Sequence, residues 1–272
     1  MPSTVASVNA VIESLWPLSG AESWDNPGLV TGDADSPVST VHLAVDATAA
    51  TVDEAIDAGA DLLLVHHPLL LRGVTTVASD TYKGALLSRL IRAECAVVAA
   101  HTNADVVETG TSATLAALLG LLDARPLVAG EPASRGLGRV GRLETPLTLG
   151  ALARRLADIL PATASGVRVA GSFDRAVETV SLCGGAGDSL LSNPDVLSSD
   201  VYITSDLRHH PASEFVETAL LSGGPALIDI SHWASEWLWL LSAARELREA
   251  LPELEVTVSD IRTDPWDFVV VQ

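Results

Sequence analysis

The sequence predicts an α/β protein in which helices cover sheets that are rich in parallel strands. Short apolar runs alternate with helix-like stretches along most of the chain. The runs are apolar at consecutive positions, which is typical of parallel strands that are buried on both faces. Each run ends at or just before a His or Asp, and ligands gather at the carboxyl ends of the strands in such folds.

Five apolar runs are the predicted strands with polar ends. They are residues 42–45 before Asp46, 62–65 before His66 and His67, 96–100 before His101, 201–204 before Asp206, and 226–230 before His232. Pro68 follows the two histidines and cannot donate to a sheet ladder, so the second strand must end there. Two further strands are predicted near the end of the sequence, at residues 256–259 and 268–271.

Six stretches between the runs have the spacing of helices that bury one face. They are residues 49–60, 84–92, 112–122, 147–160, 211–221 and 234–251. Thr48 is the expected N-cap of the first of them. Residues 123–138 are rich in Gly, Pro and Ala, and we interpret them as the crossing between two lobes, 1–125 and 126–272. Residues 61–68 and 200–211 both begin with Asp and end in His-His-Pro, so an internal duplication is left open.

The composition disfavours several classes of protein. The formal net charge is −19, with 16 Lys and Arg against 35 Asp and Glu. This balance disfavours nucleic acid and anionic membranes as partners, and it suits a protein that binds cations. Lys83 is the only lysine and is followed by Gly84, which excludes a P-loop and disfavours Schiff-base chemistry. No Gly-x-Ser-x-Gly motif supports an esterase triad.

The two cysteines and the N-terminus indicate the cellular compartment. Cys95 and Cys183 both stand in apolar runs, so we expect them to be reduced core residues, and no four-cysteine zinc site is possible. The sequence begins Met-Pro-Ser-Thr without the basic region of a signal peptide. No apolar stretch reaches the ~18 residues of a membrane span without a charge. We therefore expect a cytoplasmic protein.

The ligand-type residues at the strand ends predict a metal site. The candidates are His66, His67, His101, Asp105, His232 and Glu236. His101 and Asp105 are four residues apart, as are His232 and Glu236, and this spacing places two side chains on one helical face. Mixed imidazole and carboxylate ligands suit zinc, iron, manganese or nickel rather than calcium. Six ligands suffice for two ions, although any single histidine also fits a hydrogen-bonded interior position.

Other features of the sequence are less specific. His209 and His210 either line the same pocket or cap a helix, and we favour a structural role. His42 precedes its strand and is expected at the surface or at an edge. Residues 22–29 form a turn-rich loop with two carboxylates, which is either a surface loop packed by its tryptophan or the wall of a pocket. Residues 183–187 are interpreted as a tight glycine turn rather than a phosphate site.

Taken together, the motifs resemble the Nif-three-like family, also called GTP cyclohydrolase 1 type 2 homologues, which are dinuclear-metal, hexameric proteins. The matching segments are residues 24–29, 46–48, 59–69, 101–105, 138–141, 183–185, 205–206 and His232. His-His-Pro at 66–68 with His-Thr-Asn-Ala-Asp at 101–105 is the most specific combination. The resemblance implies that two divalent ions are held by His66, His67, Asp105, His232 and Glu236. It also implies that Glu236 bridges the ions and that His101 is a further ligand or supports one.

The resemblance further implies two interlinked α/β lobes with mixed sheets covered by helices. The first lobe, 1–125, would hold His66, His67 and Asp105, the second, 126–272, would hold His232 and Glu236, and the metal site would lie at their junction. Six subunits would form a ring. The chain is too short for the inserted domain of longer members and matches the compact form. Arg208 stands where the family has a lysine, which leaves the charge unchanged.

From these expectations we predict a metal-dependent hydrolase with a small-molecule substrate. Glu22, Asp25 and His101 are the candidates for proton transfer. The family name suggests opening of the imidazole ring of GTP, although the sequence has no guanine-recognition motif. The alternative is a non-catalytic metal-binding assembly or partner scaffold. A nucleic-acid clamp through the ring is a third option, which the net charge disfavours.

Overall fold

A computed structural model describes residues 2–271 and confirms the predicted α/β class. Its helices are, in chain order, α1 (Val5–Leu15), α2 (Ala49–Asp57), α3 (Tyr82–Arg92), α4 (Thr102–Asp105), α5 (Thr111–Leu118), α6 (Leu149–Ile159), α7 (Pro194–Ser198), α8 (His209–Ser222) and α9 (His232–Ala250). Its strands are β1 (Gly28–Thr31), β2 (Thr40–Ala44), β3 (Leu62–Val65), β4 (Ala96–Ala99), β5 (Leu121–Arg125), β6 (Val128–Ala129), β7 (Gly136–Leu137), β8 (Arg139–Thr148), β9 (Arg168–Ala170), β10 (Ala176–Ala186), β11 (Val201–Ser205), β12 (Ala226–Asp229) and β13 (Glu255–Val258). The six predicted helices and the five strands with polar ends are all present, and among them only β3 keeps its predicted bounds.

The chain forms two compact units. The first contains the residues up to Ala104 together with Leu240–Thr263, and the second contains Asp105–Trp239 and the residues from Asp264 onward. These units differ from a division of the sequence at residue 125, because the second half of α9 and β13 belong to the first unit. The division into 1–125 and 126–272 stays a prediction about domains. Residues 123–138, expected to cross between lobes, lie inside the second unit and include β6 and β7.

The sheet of the first unit has the strand order β1-β4-β3-β2-β13. β13, β2, β3 and β4 pair in parallel, and β1 is antiparallel to β4. All four residues of β3 are buried, as its continuous apolar run predicts. His67 N–H donates to Val45 O at 2.9 Å and Ala100 N–H donates to Val65 O at 2.9 Å, so the ends of three strands lie side by side.

Helices α2 and α3 cover this sheet and form the core of the first unit. Val52 and Ala55 of α2 and Leu90 of α3 are fully buried in one cluster with the side chains of β3 and β4. Thr48 is the N-cap of α2, as predicted. Its Oγ1 accepts from Thr51 N–H at 3.3 Å, and Thr51 Oγ1 accepts from Thr48 N–H at 2.9 Å.

The sheet of the second unit has the strand order β5-β8-β10-β11-β12-β9. β10, β11 and β12 pair in parallel, and β9 is antiparallel to β12. The register of β10 against β11 shifts between Leu182 and Ala186. Gly185 lies in this irregularity with φ +69°. The glycine segment expected to be a tight turn is therefore mostly a kinked part of β10.

Two expectations about individual segments were wrong. His42 lies within β2 and is buried, because β13 covers that side of the strand. Its Nδ1 is 2.8 Å from Thr257 Oγ1 and its Nε2 is 3.1 Å from Glu54 Oε2. Residues 268–271 form no strand within the described part of the chain and are exposed, because no neighbouring strand pairs with them there. Among residues 2–271, no helix combines the length and the apolar character that a membrane crossing requires.

Candidate metal-binding site

Three imidazole rings form a cluster at the carboxyl end of the parallel strands in the first unit. His66 and His67 follow β3, and His101 follows the neighbouring β4. The ring centroids are 5.1 Å apart for His66 and His67, 5.1 Å for His66 and His101, and 5.4 Å for His67 and His101. One nitrogen of each ring lies within 4.8 Å of the others, so the three residues form a group that could hold a metal ion.

A hydrogen bond at Nδ1 orients each ring of this cluster. The oxygen that lies 2.7–2.8 Å from Nδ1 is Ala100 O for His66, Asp46 Oδ1 for His67 and Asp25 Oδ1 for His101. An oxygen acceptor at Nδ1 places the proton of a neutral ring there and the lone pair on Nε2. Metal-ligating histidines are held in this way in known metal sites.

Asp25 is firmly held beside His101. Its carboxylate is fully buried, and Oδ2 accepts from Thr102 N–H at 3.0 Å and from Thr102 Oγ1 at 2.5 Å. Burial acts to raise the pKa of Asp25, but the hydrogen bonds from His101 and Thr102 outweigh it and lower the pKa below its ordinary value. Asp25 is therefore an ionised group that orients His101.

The loop around Asp25 lies beside the histidine cluster. The N–H of Glu22 donates to Thr102 Oγ1 at 2.9 Å, while its half-buried carboxylate makes no hydrogen bond among the described residues. The ring of Trp24 lies 5.8 Å from that of His101. Of the two interpretations of residues 22–29, this position favours the wall of a pocket.

In the second unit, His232 and Glu236 occupy the first turn of α9. His232 Nε2 is 2.9 Å from Glu236 Oε1, as the four-residue spacing predicts. His232 Nδ1 is 2.7 Å from Asp206 Oδ2, which repeats the orientation seen in the first unit. Burial acts to lower the pKa of His232, but Glu236 and Asp206 raise it to about 11. The ring therefore lies in a strongly negative potential, which favours a cation.

Asp105 and Glu236 both lie near the buried thiol of Cys183. Asp105 Oδ1 accepts from Thr111 Oγ1 at 2.6 Å. Burial raises the pKa of Cys183 to about 12, and the charges of Asp105 and Glu236 contribute to the increase. The thiol therefore stays protonated at neutral pH. Cys95 and Cys183 are both free and buried, as predicted.

Two unusual backbone conformations shape this second group, and sequence analysis missed both roles. Asp206 has φ +56°, and its carboxylate contacts His232 from that conformation. A Cβ at Gly185 would lie 2.5 Å from Glu236 Oε1. The glycine pair at 184–185 was a usable signal, because glycine within a strand often marks the close approach of another group.

The donor set fits divalent metal ions. The first unit offers three oriented imidazoles, and the second offers His232 with the carboxylates of Asp105 and Glu236. Zinc, iron, manganese and nickel accept both ligand types. His209 and His210 differ: they are exposed at the start of α8, their rings are 5.2 Å apart, and they belong to no metal-type group within the described residues.

Comparisons with known proteins show which family and which relatives have similar sequences. The family model described as Duf34/NIF3 (NGG1p interacting factor 3) matches residues 3–265. A Streptomyces coelicolor protein named GTP cyclohydrolase 1 type 2 homolog is 47% identical over 270 residues, covering 96% of this chain and 93% of the relative. A Mycobacterium tuberculosis protein of the same name is 36% identical over 372 residues, covering 97% of each chain. That alignment exceeds the 272 residues of this chain, as expected for a compact form.

Two solved structures share the fold over nearly the whole chain. A Bacillus cereus protein related to NIF3 superimposes with a TM-score of 0.88 at 22% identity, covering 99% of this chain and 100% of that one. A Staphylococcus aureus hypothetical protein superimposes with a TM-score of 0.87 at 26% identity, with the same coverage. These likenesses confirm the fold that the sequence predicts.

Proposed function

We propose that this chain, which belongs to the Duf34/NIF3 family, binds divalent metal ions and acts as a metal-dependent hydrolase. The observation that carries the proposal is the cluster of three histidines in the first unit. Each ring is oriented through Nδ1 by an oxygen acceptor, and a different backbone or side-chain group supplies each acceptor. Ligation through Nε2 would explain this orientation for His66 and His67, and in His101 the same orientation makes Nε2 the nitrogen that would transfer a proton.

The proposed centre holds two ions. Its ligands are His66, His67, Asp105, His232 and Glu236, with Glu236 shared between the ions. The support comes from the family resemblance and from the number of ligands. Five residues exceed what one four-coordinate ion with an open position needs, whereas they suit two ions that keep positions for water and substrate. Zinc, iron, manganese and nickel are the ions that this mixture of imidazole and carboxylate favours.

The proposed chemistry is hydrolysis, in which bound divalent ions would activate water and polarise the bond that is attacked. In this proposal His101 transfers the proton, and Asp25 orients its ring. A carboxylate at Nδ1 makes the other nitrogen more basic and stabilises the protonated ring. Glu22 is the alternative proton carrier, because its half-buried carboxylate lies on the same loop.

The proposed substrates follow from the relatives. Because two of them are named GTP cyclohydrolase 1 type 2 homolog, GTP and other nucleotides are the first small molecules to examine. A homohexameric ring and a cytoplasmic location belong to the same proposal, and the family resemblance and the sequence support them. Nucleic acid is not a proposed partner, because the net charge of −19 opposes a polyanion.

Turnover by metal-loaded protein tests the proposal directly. The protein and its His67→Ala variant would be assayed on GTP, other nucleotides and phosphoesters, with the metal content of both samples measured. We expect at least one substrate to be hydrolysed by the parent protein and at most slowly by the variant. Equal turnover by both proteins on every substrate rejects the hydrolase. Metal without turnover on any substrate would instead favour the non-catalytic metal-binding assembly.

A further inference from the structure

The exposed side chain of Trp24 is a feature that metal binding leaves unexplained. It is 60% exposed, although indole is among the largest apolar groups that a chain can bury. Its N–H makes no hydrogen bond among the described residues. More than half of the side chain is thus accessible in this structure.

The loop that carries Trp24 is fixed on both sides of it. Glu22 N–H donates to Thr102 Oγ1 at 2.9 Å, and the buried carboxylate of Asp25 accepts hydrogen bonds from His101 and Thr102. Asn26 Nδ2 donates to Leu70 O at 3.4 Å. The exposure of Trp24 is therefore a property of an anchored loop, whose backbone holds the ring where it is.

The position of the ring connects it to the histidine cluster. The Trp24 and His101 rings are 5.8 Å apart and nearly perpendicular, at 78°. The His101 ring is in turn 5.1 Å from that of His66 and 5.4 Å from that of His67. One ring separates the indole from the cluster, so a small molecule at the cluster would also reach the indole.

We infer that Trp24 is a stacking platform for a planar heteroaromatic ring of the ligand. The inference rests on the proposed function, since it takes the histidine cluster as the place where the rest of that ligand is held. A flat ring stacks on indole in an offset arrangement, and such stacking tolerates many kinds of base. A cationic group over the indole is disfavoured, because the same cluster would hold divalent cations that repel it. The indole N–H adds a donor at the rim, where ring nitrogen or carbonyl acceptors of a heteroaromatic ligand lie.

Three probes distinguish the contribution of the ligand's aromatic ring to binding from that of its sugar phosphate. GMP and CMP carry a purine and a pyrimidine, and ribose 5-phosphate has the same sugar phosphate without a ring. Binding to the metal-loaded full chain would be measured by calorimetry. We expect the nucleotides to bind more tightly than ribose 5-phosphate. Trp24→Ala should weaken nucleotide binding about tenfold or more and leave ribose 5-phosphate binding unchanged. Trp24→Phe should retain most of the affinity.

Trp266 supplies the matched control, since it is 65% exposed on the C-terminal segment of the second unit. Trp266→Ala should bind all three probes like the parent protein. Should Trp24→Ala fold poorly, Trp24→Leu replaces it, because it keeps an apolar side chain without a ring. Affinity for both nucleotides that is unchanged by loss of the Trp24 ring, or no preference of the parent protein for nucleotides over ribose 5-phosphate, overturns the inference.

Metal analysis of the same samples keeps this inference distinguishable from the proposed function. Metal-loaded protein that shows no dependence on the Trp24 ring overturns the platform and leaves metal binding intact. Ring-dependent nucleotide binding by protein that retains no metal supports the platform and overturns the metal-dependent function.

Discussion

The two units share an arrangement of four strands but differ in what stands at the strand ends. The order β1-β4-β3-β2 in the first unit corresponds to β9-β12-β11-β10 in the second. In each case three strands pair in parallel, and the strand that precedes them in the sequence is antiparallel to the last. This shared topology supports the internal duplication that the sequence left open.

One aspartate extends the correspondence to atomic contacts. Asp61 precedes β3, and its Oδ2 accepts from Ser39 N–H, Ser39 Oγ and Thr40 N–H at 2.7, 2.7 and 3.0 Å. Asp200 precedes β11, and its Oδ2 accepts from Glu178 N–H at 2.9 Å and from the N–H and Oγ1 of Thr179 at 2.7 and 2.8 Å. Both aspartates join two neighbouring strands at the point where their parallel pairing begins.

The difference lies at the opposite ends of the same strands. β3 ends at Val65 and is followed by His66 and His67, whereas β11 ends at Ser205 and is followed by Asp206. The first pair would ligate ions, while Asp206 orients another histidine. In both units the amino ends of these strands preserve the scaffold, whereas the residues at the carboxyl ends differ, and this is where ligands gather in such folds.

The largest expected effect is a loss of metal binding, and it should distinguish two identical His-His-Pro segments. His-His-Pro follows a buried strand at 66–68 but begins an exposed helix at 209–211. His67→Ala should weaken metal binding by more than ~100-fold, since removing a ligand exceeds the 10- to 100-fold loss typical of a group that supports one. His210→Ala should have no effect. Metal retained after dialysis, measured by mass spectrometry, checks both; equal metal contents in the two variants would contradict the assignment.

The next effect compares two glycines with nearly the same backbone conformation. Gly59 has φ +67° with open space around it, whereas Gly185 has φ +69° and faces Glu236 Oε1. Gly59→Ala should lower the free energy of unfolding by about 1–2 kcal/mol through backbone strain alone. Gly185→Ala should lower it by about 1–3 kcal/mol more and also reduce metal content, since the new Cβ displaces the carboxylate. Urea denaturation and metal analysis measure the two effects. Similar results for both variants would show that Gly185 does not constrain Glu236.

The third prediction tests the corresponding aspartates. Asp61→Asn and Asp200→Asn should each lower the free energy of unfolding by about 1–3 kcal/mol at neutral pH, because three donors to each aspartate lose an ionised acceptor. Although burial acts to raise the pKa of both aspartates, hydrogen bonds lower it below the ordinary value of an aspartate.

The pH dependence of these two variants has a definite sign. A lowered folded-state pKa gives stability that is present above the unfolded pKa and lost as the pH falls through the folded value. The difference between parent and variant should therefore be constant near neutral pH and shrink below about pH 4. Denaturation curves from pH 7 to pH 3 measure it. A large loss for only one of the two would break the correspondence between the units.

The smallest effect concerns helix N-caps. Thr48 caps α2 in the first unit, and Thr148 caps α6 in the second by accepting from Ala151 N–H at 3.1 Å. Thr48→Ala and Thr148→Ala should each lower the free energy of unfolding by about 1 kcal/mol. Thermal unfolding measures both. Thr51 Oγ1 also donates to the backbone carbonyl of Asp46. A much larger loss for Thr48→Ala would therefore show that the cap of α2 also supports the position of Asp46.

The buried strands were the most predictable part of the fold. Residues 62–65 are apolar at every position, which is the pattern of a strand that is buried on both faces. β3 has the same bounds. Residues 112–122 were predicted as one helix, but α5 ends at Leu118. Gly120 adopts φ +64° and turns the chain into β5, a change that the apolar pattern does not reveal.

The histidine cluster was predictable because parallel strands bring their carboxyl ends together. The partners of the histidines were harder to predict. Asp25 lies 76 residues before His101, and no local pattern indicates that its loop packs there. The burial of His42 was equally hard to predict, because it depends on pairing with β13, which is distant in sequence. Long-range packing decides both, and sequence periodicity contains no such information.

The pairing of β13 with β2 has a consequence for biosynthesis. His42 and its partner Thr257 are separated by 215 positions, and nearly the whole second unit is translated between them. During translation, β2 remains an unpaired edge strand of the first sheet until β13 has emerged from the ribosome. A nascent chain in this state offers a strand-pairing surface that chaperones or neighbouring chains can occupy.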